Sequence, residues 1–125
     1  MGFLTTTTWA PDFPNARSLA FVKAFEAAYG YVPGNYAAHS YDTAFLIDSA
    51  VRAGPDKAAI RAAMERADFP SVRGKFTFGR NHYPVSNIVL AKVIKRPDGK
   101  YATATVRTVL ADDVDSYAAQ CAMPA

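Results

Sequence analysis

The sequence has no long apolar run, a single cysteine and no dense cluster of like charge. No stretch of about 18 uncharged apolar residues occurs in the 125-residue chain, which predicts no membrane-spanning helix. Residues 1–8 lack both the basic segment and the apolar core of a signal peptide, so we expect nothing in the sequence as written to target a membrane. The lone Cys121 cannot form an internal disulfide.

The charge pattern gives no reason to expect a nucleic-acid partner. The formal net charge is +3 at pH 7, but Lys and Arg are scattered singly among acidic residues. Such a pattern is typical of a mildly basic, solvated surface. Half of the residues are hydrophobic and 20% are charged, the composition of one ordinary globular domain.

Helical periodicity dominates the first half of the chain. A β-branched run over 2–8 predicts a strand, and a Pro-punctuated loop follows it. Residues 16–29 repeat apolar side chains at helical spacing, with Asn15 suited to the N-cap and Gly30 to the position after the helix.

Two further helices are predicted before the pattern changes. The turn at 31–35 leads into a helix over 36–53 that is apolar on most sides, which predicts that it is largely buried. Asp56 can cap a third helix over 57–67. Its predicted inner stripe comprises Ile60, Ala63, Met64 and Ala67.

The second half has the alternation of strands. Phe76 and Phe78 alternate with polar residues, and a β-rich run follows over 85–95. Residues 88–95 and 101–110 flank Pro97-Asp98-Gly99, which predicts that they pair as a hairpin. Residues 112–121 are compatible with a short final helix. The order strand, three helices, hairpin predicts an α/β fold. The predicted sheet is small for the amount of apolar helix that it would have to cover. This imbalance indicates that the chain is part of a larger protein.

Motifs of catalysis and of cofactor binding are absent from the sequence. It has no nucleophile elbow, zinc motif, phosphate loop or calcium loop, so we expect no cofactor, no metal and no catalytic residue. His39 and Asp42 can share a helical face, as an acid–base pair or half a metal site would. His39 could instead contact a ligand from the helix N-terminus or be a satisfied structural histidine. Trp9 is either a ligand-facing aromatic or a packing residue, and His82 is interpreted as an exposed loop residue.

Several segments, in this order, resemble the C-terminal region of the branched-chain amino-acid-binding family. They are Gly2-Phe3-Leu4, Phe21-Val22-Lys23-Ala24-Phe25, Tyr29-Gly30-Tyr31-Val32-Pro33, Tyr36-Ala37-Ala38-His39-Ser40-Tyr41-Asp42-Thr43-Ala44, Phe69-Pro70-Ser71-Val72-Arg73-Gly74-Lys75-Phe76-Thr77-Phe78, Asp98-Gly99-Lys100 and Tyr117-Ala118-Ala119-Gln120-Cys121. Each motif is weak alone, but the shared order covers nearly the whole chain.

The resemblance implies the α/β fold of a type I periplasmic binding protein, with two lobes that close on a small ligand. Residues 1–125 would then be a C-terminal fragment of such a ligand-binding domain. By analogy, 1–10 would be a second-lobe strand and hinge, 11–95 a segment returning to the first lobe, and 96–125 the hairpin return and tail. The family's signal peptide and N-terminal ligand contacts are missing from this sequence.

The resemblance also implies a ligand site. The family segment that lines the cleft corresponds to Ala38, His39 and Tyr41. Trp9 joins the predicted site on its own account, as the ligand-facing alternative given above. Ala38 stands where some relatives have an aromatic residue, so we expect room for a bulkier ligand such as an aromatic carboxylate, with His39 as a polar contact.

The implied function is binding rather than catalysis. The protein would be the solute-binding component of an ABC transporter, located in the periplasm and partnered by the ABC permease. A sensory domain of the same fold and an unrelated small α/β domain are the alternatives. Because apolar residues such as Phe21, Phe25, Phe45 and Ile47 would lack their usual neighbours, we expect association with the missing N-terminal portion or a swapped homo-oligomer.

Overall fold

One short strand and three helices open the chain in its computed structural model, which describes residues 2–123 and leaves Met1, Pro124 and Ala125 outside the described residues. The elements are β1 (Leu4–Thr7), α1 (Ala16–Tyr29), α2 (Asn35–Val51) and α3 (Lys57–Arg66). The three predicted helices are confirmed, although α2 and α3 end earlier than expected.

Local sequence signals set the ends of two helices. The Asn15 side chain accepts a hydrogen bond of 2.8 Å from the Ser18 amide at the start of α1, and Gly30 ends that helix with φ at 75°. Asp56 caps α3 by accepting from the Ala59 amide at 2.9 Å. These predicted caps are confirmed. The third helix stops at Arg66 because Ala67 takes a left-handed conformation with φ at 51°.

The sheet is built around a single long strand. It comprises β1, β2 (Thr77–Phe78), β3 (Pro84–Lys95) and β4 (Tyr101–Asp113). Strand β3 pairs antiparallel with each of the other three. The predicted hairpin between β3 and β4 is confirmed, with Arg96 and Lys100 joined across the turn and φ of Gly99 at 82°.

The predicted final helix is wrong. Strand β4 continues to Asp113, which pairs with Ser86, and the Asp112 amide donates to the Asn87 side chain at 2.8 Å. These contacts with β3 hold residues 112 and 113 in the sheet. The only helical turn that follows in the described part of the tail is a 3-10 turn, Ala118–Gln120.

A small aromatic core joins the loop after β1 to the helices. Trp9, Phe21, Ala38 and Val72 are buried together, and the indole nitrogen of Trp9 donates to the Ser18 hydroxyl at 2.9 Å. For Phe21, the expectation that it would lack its usual neighbours is wrong, because its ring is buried against Trp9.

Burial of α2 is far less complete than predicted. Its buried residues are Ala38, Asp42 and Ala50, whereas Tyr36 is 86% exposed and Val51 is 57% exposed. The apolar character of this helix therefore exceeds what the chain itself covers. Among residues 2–123, no helix is long and apolar enough to cross a membrane.

Polar contacts fasten the hairpin to the first helix and the loop before it. Asp12 accepts from both the amide and the hydroxyl of Thr105 at 2.8 Å, and Arg96 at the hairpin turn pairs with Glu26 on α1. Strand β1 shares its sheet with β3 and β4. The assignment of segments 1–10, 11–95 and 96–125 to particular lobes stays a prediction.

Candidate functional site

The four predicted site residues face different surroundings. Trp9 and Ala38 are 1% and 0% exposed and lie in the aromatic core. His39 and Tyr41 are half-buried on α2. Trp9 thus has the packing role that the sequence left open, and a ligand contact for it stays a prediction.

His39 connects the helix to the end of the first strand. Its Nε2 lies 3.0 Å from Oγ1 of Thr8, and either atom can donate, depending on the imidazole tautomer. The sequence did not point to Thr8, because a hydroxyl at a strand end gives no signal of a partner 31 residues away. One ring nitrogen is therefore already engaged within the chain.

The environment of His39 favours the neutral imidazole. Partial burial lowers the pKa of His39 below its ordinary value of 6.5; the nearby Arg73 guanidinium lowers it further, and the Asp42 carboxylate opposes both. Burial disfavours the charged ring, and a nearby cation repels it. We therefore expect His39 to be neutral at pH 7.

Asp42 does not form an acid–base pair with His39. Its buried carboxylate accepts from the Ser71 hydroxyl at 2.6 Å, the Val72 amide at 2.9 Å and Nε of Arg73 at 2.9 Å. Three donors satisfy this carboxylate, and they tie α2 to the loop after α3. No three His, Cys, Asp or Glu side chains among residues 2–123 are grouped to hold a metal ion.

Tyr41 faces the first helix. Its ring centroid lies 4.6 Å from that of Phe21 and 4.8 Å from that of Phe45. It borders an open, mainly apolar groove of about 440 Å³ between α1 and α2, called here the α1–α2 groove. Phe21, Ala24, Phe25, Ala28, Tyr29, Ala37 and Ser40 form the rest of its lining. The structure thus separates Tyr41 from the contact between His39 and Thr8.

A second open groove, of about 410 Å³, lies at the start of α2 between β1 and the hairpin. Trp9 lines it together with three hydroxyl-bearing residues of β1, and Tyr36 stands exposed at its edge. Gly34 precedes α2 without a side-chain cap, and Oδ1 of Asn35 is buried with no partner among the described residues. An uncapped helix start offers backbone donors to an anion. Sequence reasoning missed Asn35 and Tyr36, which it placed only in a turn and a helix start.

These surfaces are suited to hold a small molecule by hydrogen bonds and aromatic contacts. The groove at the start of α2 combines threonine hydroxyls with the rings of Tyr36 and Tyr101. Small-molecule sites typically pair aromatic walls with a few placed polar groups.

Comparison with known proteins gives a consistent match. A family profile described as "Periplasmic binding protein" matches residues 1–100. A solute-binding protein of an R. palustris ABC transporter, in complex with benzoate, is 34% identical over 98% of this chain, with a TM-score of 0.82. A substrate-binding protein from Sphaerobacter thermophilus is 28% identical over 90% of the chain, with a TM-score of 0.77.

A third structure is a solute-binding protein from Rhodopseudomonas palustris BisB5 in complex with 3,4-dihydroxybenzoic acid. It is 27% identical over 86% of the chain, with a TM-score of 0.74. The chain spans 33%, 32% and 31% of the lengths of these three proteins. A search of curated proteins found no match to the sequence.

Proposed function

Because this chain belongs to the periplasmic binding protein family, we propose that it is the C-terminal third of a solute-binding protein that supplies an ABC transporter with a small carboxylate. The ligand would be an amino acid or an aromatic acid, bound in a cleft between two lobes for uptake. The observation that best supports this proposal is the 34% identity, over 98% of this chain, to a protein whose structure contains benzoate. The role is binding, without chemical turnover.

The chemistry at the start of α2 supports a carboxylate ligand. Backbone amides at an uncapped helix start favour anions, and the neutral imidazole of His39 has a second ring nitrogen beyond its contact with Thr8. In this proposal His39 contacts the ligand directly, and Ala38, Tyr41 and Trp9 support the cleft wall by packing.

The proposed partners follow from the same assignment. The ligand-loaded protein would deliver its solute to the ABC permease from the periplasmic side of the membrane. The apolar surfaces that this chain leaves uncovered would pack against the N-terminal portion of the protein, or a swapped second copy would cover them. No nucleic acid is involved.

Calorimetric titration of the complete two-lobed protein tests the function. We expect saturable, one-to-one binding of benzoate or 3,4-dihydroxybenzoate, with leucine as the competing amino-acid class and acetate as the control for a carboxylate without a ring. The titrated acids should be recovered unchanged. Absence of binding to every ring-bearing acid and to leucine would remove the proposal.

A further inference from the structure

Thr8 is the described residue whose side chain bonds to the imidazole of His39. Its Oγ1 lies 3.0 Å from Nε2 of the ring. Thr8 directly follows β1, and His39 lies near the start of α2, so the contact joins a strand end to a helix start. The distance alone does not say which of the two atoms holds the shared proton.

The two nitrogens of this ring have different surroundings. Nε2 faces Thr8, whereas Nδ1 bonds to no described residue and is not among the unpartnered polar atoms that the chain buries. A neutral imidazole carries its proton on one nitrogen and a lone pair on the other. The contact at Nε2 therefore decides whether Nδ1 of His39 offers a donor or an acceptor.

The hydroxyl of Thr8 is placed to donate to Nε2. Thr8 is half-buried, and a hydroxyl proton withdrawn from water is destabilising unless it finds an acceptor. Beside it lies a small cavity of about 50 Å³ that Arg73 and Lys75 also line, and both of these side chains are donors only. The carboxylate of Asp112, which lines the same cavity, is the competing acceptor. The structure brings Nε2 of His39, and not that carboxylate, within hydrogen-bond distance of Oγ1.

An acceptor role for Nε2 requires a neutral ring, and the surroundings of His39 supply this condition. Burial and the nearby Arg73 guanidinium lower the pKa of His39, and they outweigh the opposing carboxylate of Asp42. Arg73 is held in place by its ion pair with Asp42. The lone pair of Nε2 is therefore available to the Thr8 hydroxyl at pH 7.

We propose that Thr8 is a positioning residue, whose hydroxyl donates to Nε2 of His39 and so fixes the ring proton on Nδ1, which donates to the carboxylate of the bound acid. This inference rests on the proposed function. It adds the atom of His39 that meets the ligand and the residue that sets its proton. The opposite tautomer would present a lone pair at Nδ1, which repels a carboxylate.

Nitrogen-15 NMR of the His39 imidazole in the complete two-lobed protein is the first test, because protonated and unprotonated ring nitrogens resonate far apart. At pH 7 we expect the proton on Nδ1 in the unsubstituted protein and in Thr8→Ser, and a mixture of both tautomers in Thr8→Val. Thr108→Val, the same change at an exposed position on β4, is the matched control and should leave the spectrum unchanged. A proton on Nε2 in the unsubstituted protein would mean that Thr8 donates into the cavity, and would overturn the proposal.

Ligand affinity is the second test. The probe is whichever of benzoate, 3,4-dihydroxybenzoate and leucine binds the complete protein most tightly in calorimetric titration at pH 7. We expect Thr8→Val to weaken binding about three- to tenfold, because apparent affinity falls with the fraction of protein in the binding tautomer. Thr8→Ser should keep most of the affinity, and Thr108→Val all of it. Equal affinities for Thr8→Val and the unsubstituted protein would overturn the role of Thr8.

A double substitution separates an effect through His39 from an independent one. In a His39→Ala background we expect Thr8→Val to cause no further loss of affinity, since the ring whose proton it sets is gone. The same loss in both backgrounds would overturn the proposal. Failure of the unsubstituted protein to bind any of the three acids would remove the proposed function and the ligand contact with it, whereas the NMR spectrum judges the contact of Thr8 with His39 by itself.

Discussion

Asp42 is the buried charged residue that attaches α2 to the loop after α3. Its side chain is 1% exposed and meets the Arg73 guanidinium, which is 12% exposed, at 2.9 Å. The Ser71 hydroxyl and the Val72 amide complete its hydrogen bonds. A buried ion pair satisfied in this way is costly to break from one side, because the remaining charge stays buried without a partner.

We expect Asp42→Ala to lower the free energy of unfolding by about 3–5 kcal/mol. The Arg73 guanidinium and the Val72 amide would both lose their acceptor. Urea unfolding at pH 7 measures the loss. Asp48→Ala, at the exposed pair with Arg52 on the same helix, is the matched control and should change stability little. Equal effects of the two substitutions would contradict the structural role of Asp42.

His39→Ala separates ligand binding from packing. In the complete two-lobed protein we expect it to weaken binding by about 1–3 kcal/mol, the scale of leaving a buried polar partner unpaired, with a smaller change in stability. Calorimetric titration and thermal melts of the same variant measure both quantities. His82→Ala, at the exposed loop histidine, is the control. Unchanged affinity with a large loss of stability would make His39 a purely structural residue.

Acidification should also report on His39. Its pKa in the folded chain lies below the ordinary value of 6.5, so the unfolded chain binds the proton more readily. The contribution of His39 to stability is therefore fully present above pH 6.5 and is lost as the pH falls toward the folded-state pKa. We expect the chain to lose stability relative to His39→Gln between pH 7 and about 5.5, above the range in which ordinary carboxylates titrate. A constant difference in unfolding free energy across that range would contradict the lowered pKa.

Local contacts were predictable from the sequence at this scale, and distant ones were not. Asn15, Asp56 and Gly30 act within one turn of their helix, so their residue types and positions suffice. The contact of His39 with Thr8 spans 31 residues, and that of Asp42 with Arg73 likewise spans 31. Neither has a sequence pattern of its own.

Among the elements, α1 is held at its start by one side chain that makes two contacts. Oδ1 of Asn15 accepts from the Ser18 amide, and its Nδ2 donates to the Val72 carbonyl, both at 2.8 Å. The cap therefore joins α1 to the loop that also holds Asp42. Asp56 at the start of α3 caps its own helix from an exposed position.

We expect Asn15→Ala to cost about 2 kcal/mol, the upper end of the range for N-caps, because the contact with Val72 is lost as well. Asp56→Ala should cost about 1 kcal/mol, a typical cap value. Thermal or urea unfolding of the two variants gives the comparison. An equal or larger loss for Asp56→Ala would show that the contact between Asn15 and Val72 adds nothing.

Element types were more predictable than element extents. The β-rich run predicted over 85–95 agrees with β3, which begins at Pro84. The paired segments are longer than the predicted 88–95 and 101–110, because β4 runs to Asp113. Pairing with a neighbouring strand extends both, and register shifts between Ser86 and Ala91 accommodate the added residues. Helix burial was overestimated for α2 because periodicity records which face is apolar and not whether this chain covers it.

At the scale of the whole molecule, the uncovered apolar surface is the dominant feature. Tyr36, Tyr29 and Ile47 are 86%, 63% and 46% exposed on α1 and α2, and the α1–α2 groove is open. Large exposed apolar side chains around an open apolar groove are typical of a surface that contacts another polypeptide.

We therefore expect the isolated chain to associate in solution or to bind the proposed N-terminal portion when it is supplied. Light scattering coupled to size exclusion measures the mass of the species across a concentration series. Tyr36→Ser with Ile47→Ser should shift the population toward monomer, whereas Thr43→Ser, an exposed polar position on α2, should not. A monodisperse monomer with an intact sheet and no other chain present would contradict this expectation.

The central position of β3 also has a consequence for how the chain reaches its fold. Leu4 of β1 pairs with Lys92, so the first strand has no partner until most of the chain has been synthesised. At about 5–20 residues per second, translation leaves β1 waiting for several seconds while the helices already form. Pairings so distant in sequence slow folding. The nascent chain would therefore expose its apolar helices well before its sheet closes. During this interval the exposed helices would be most available for a chaperone to bind.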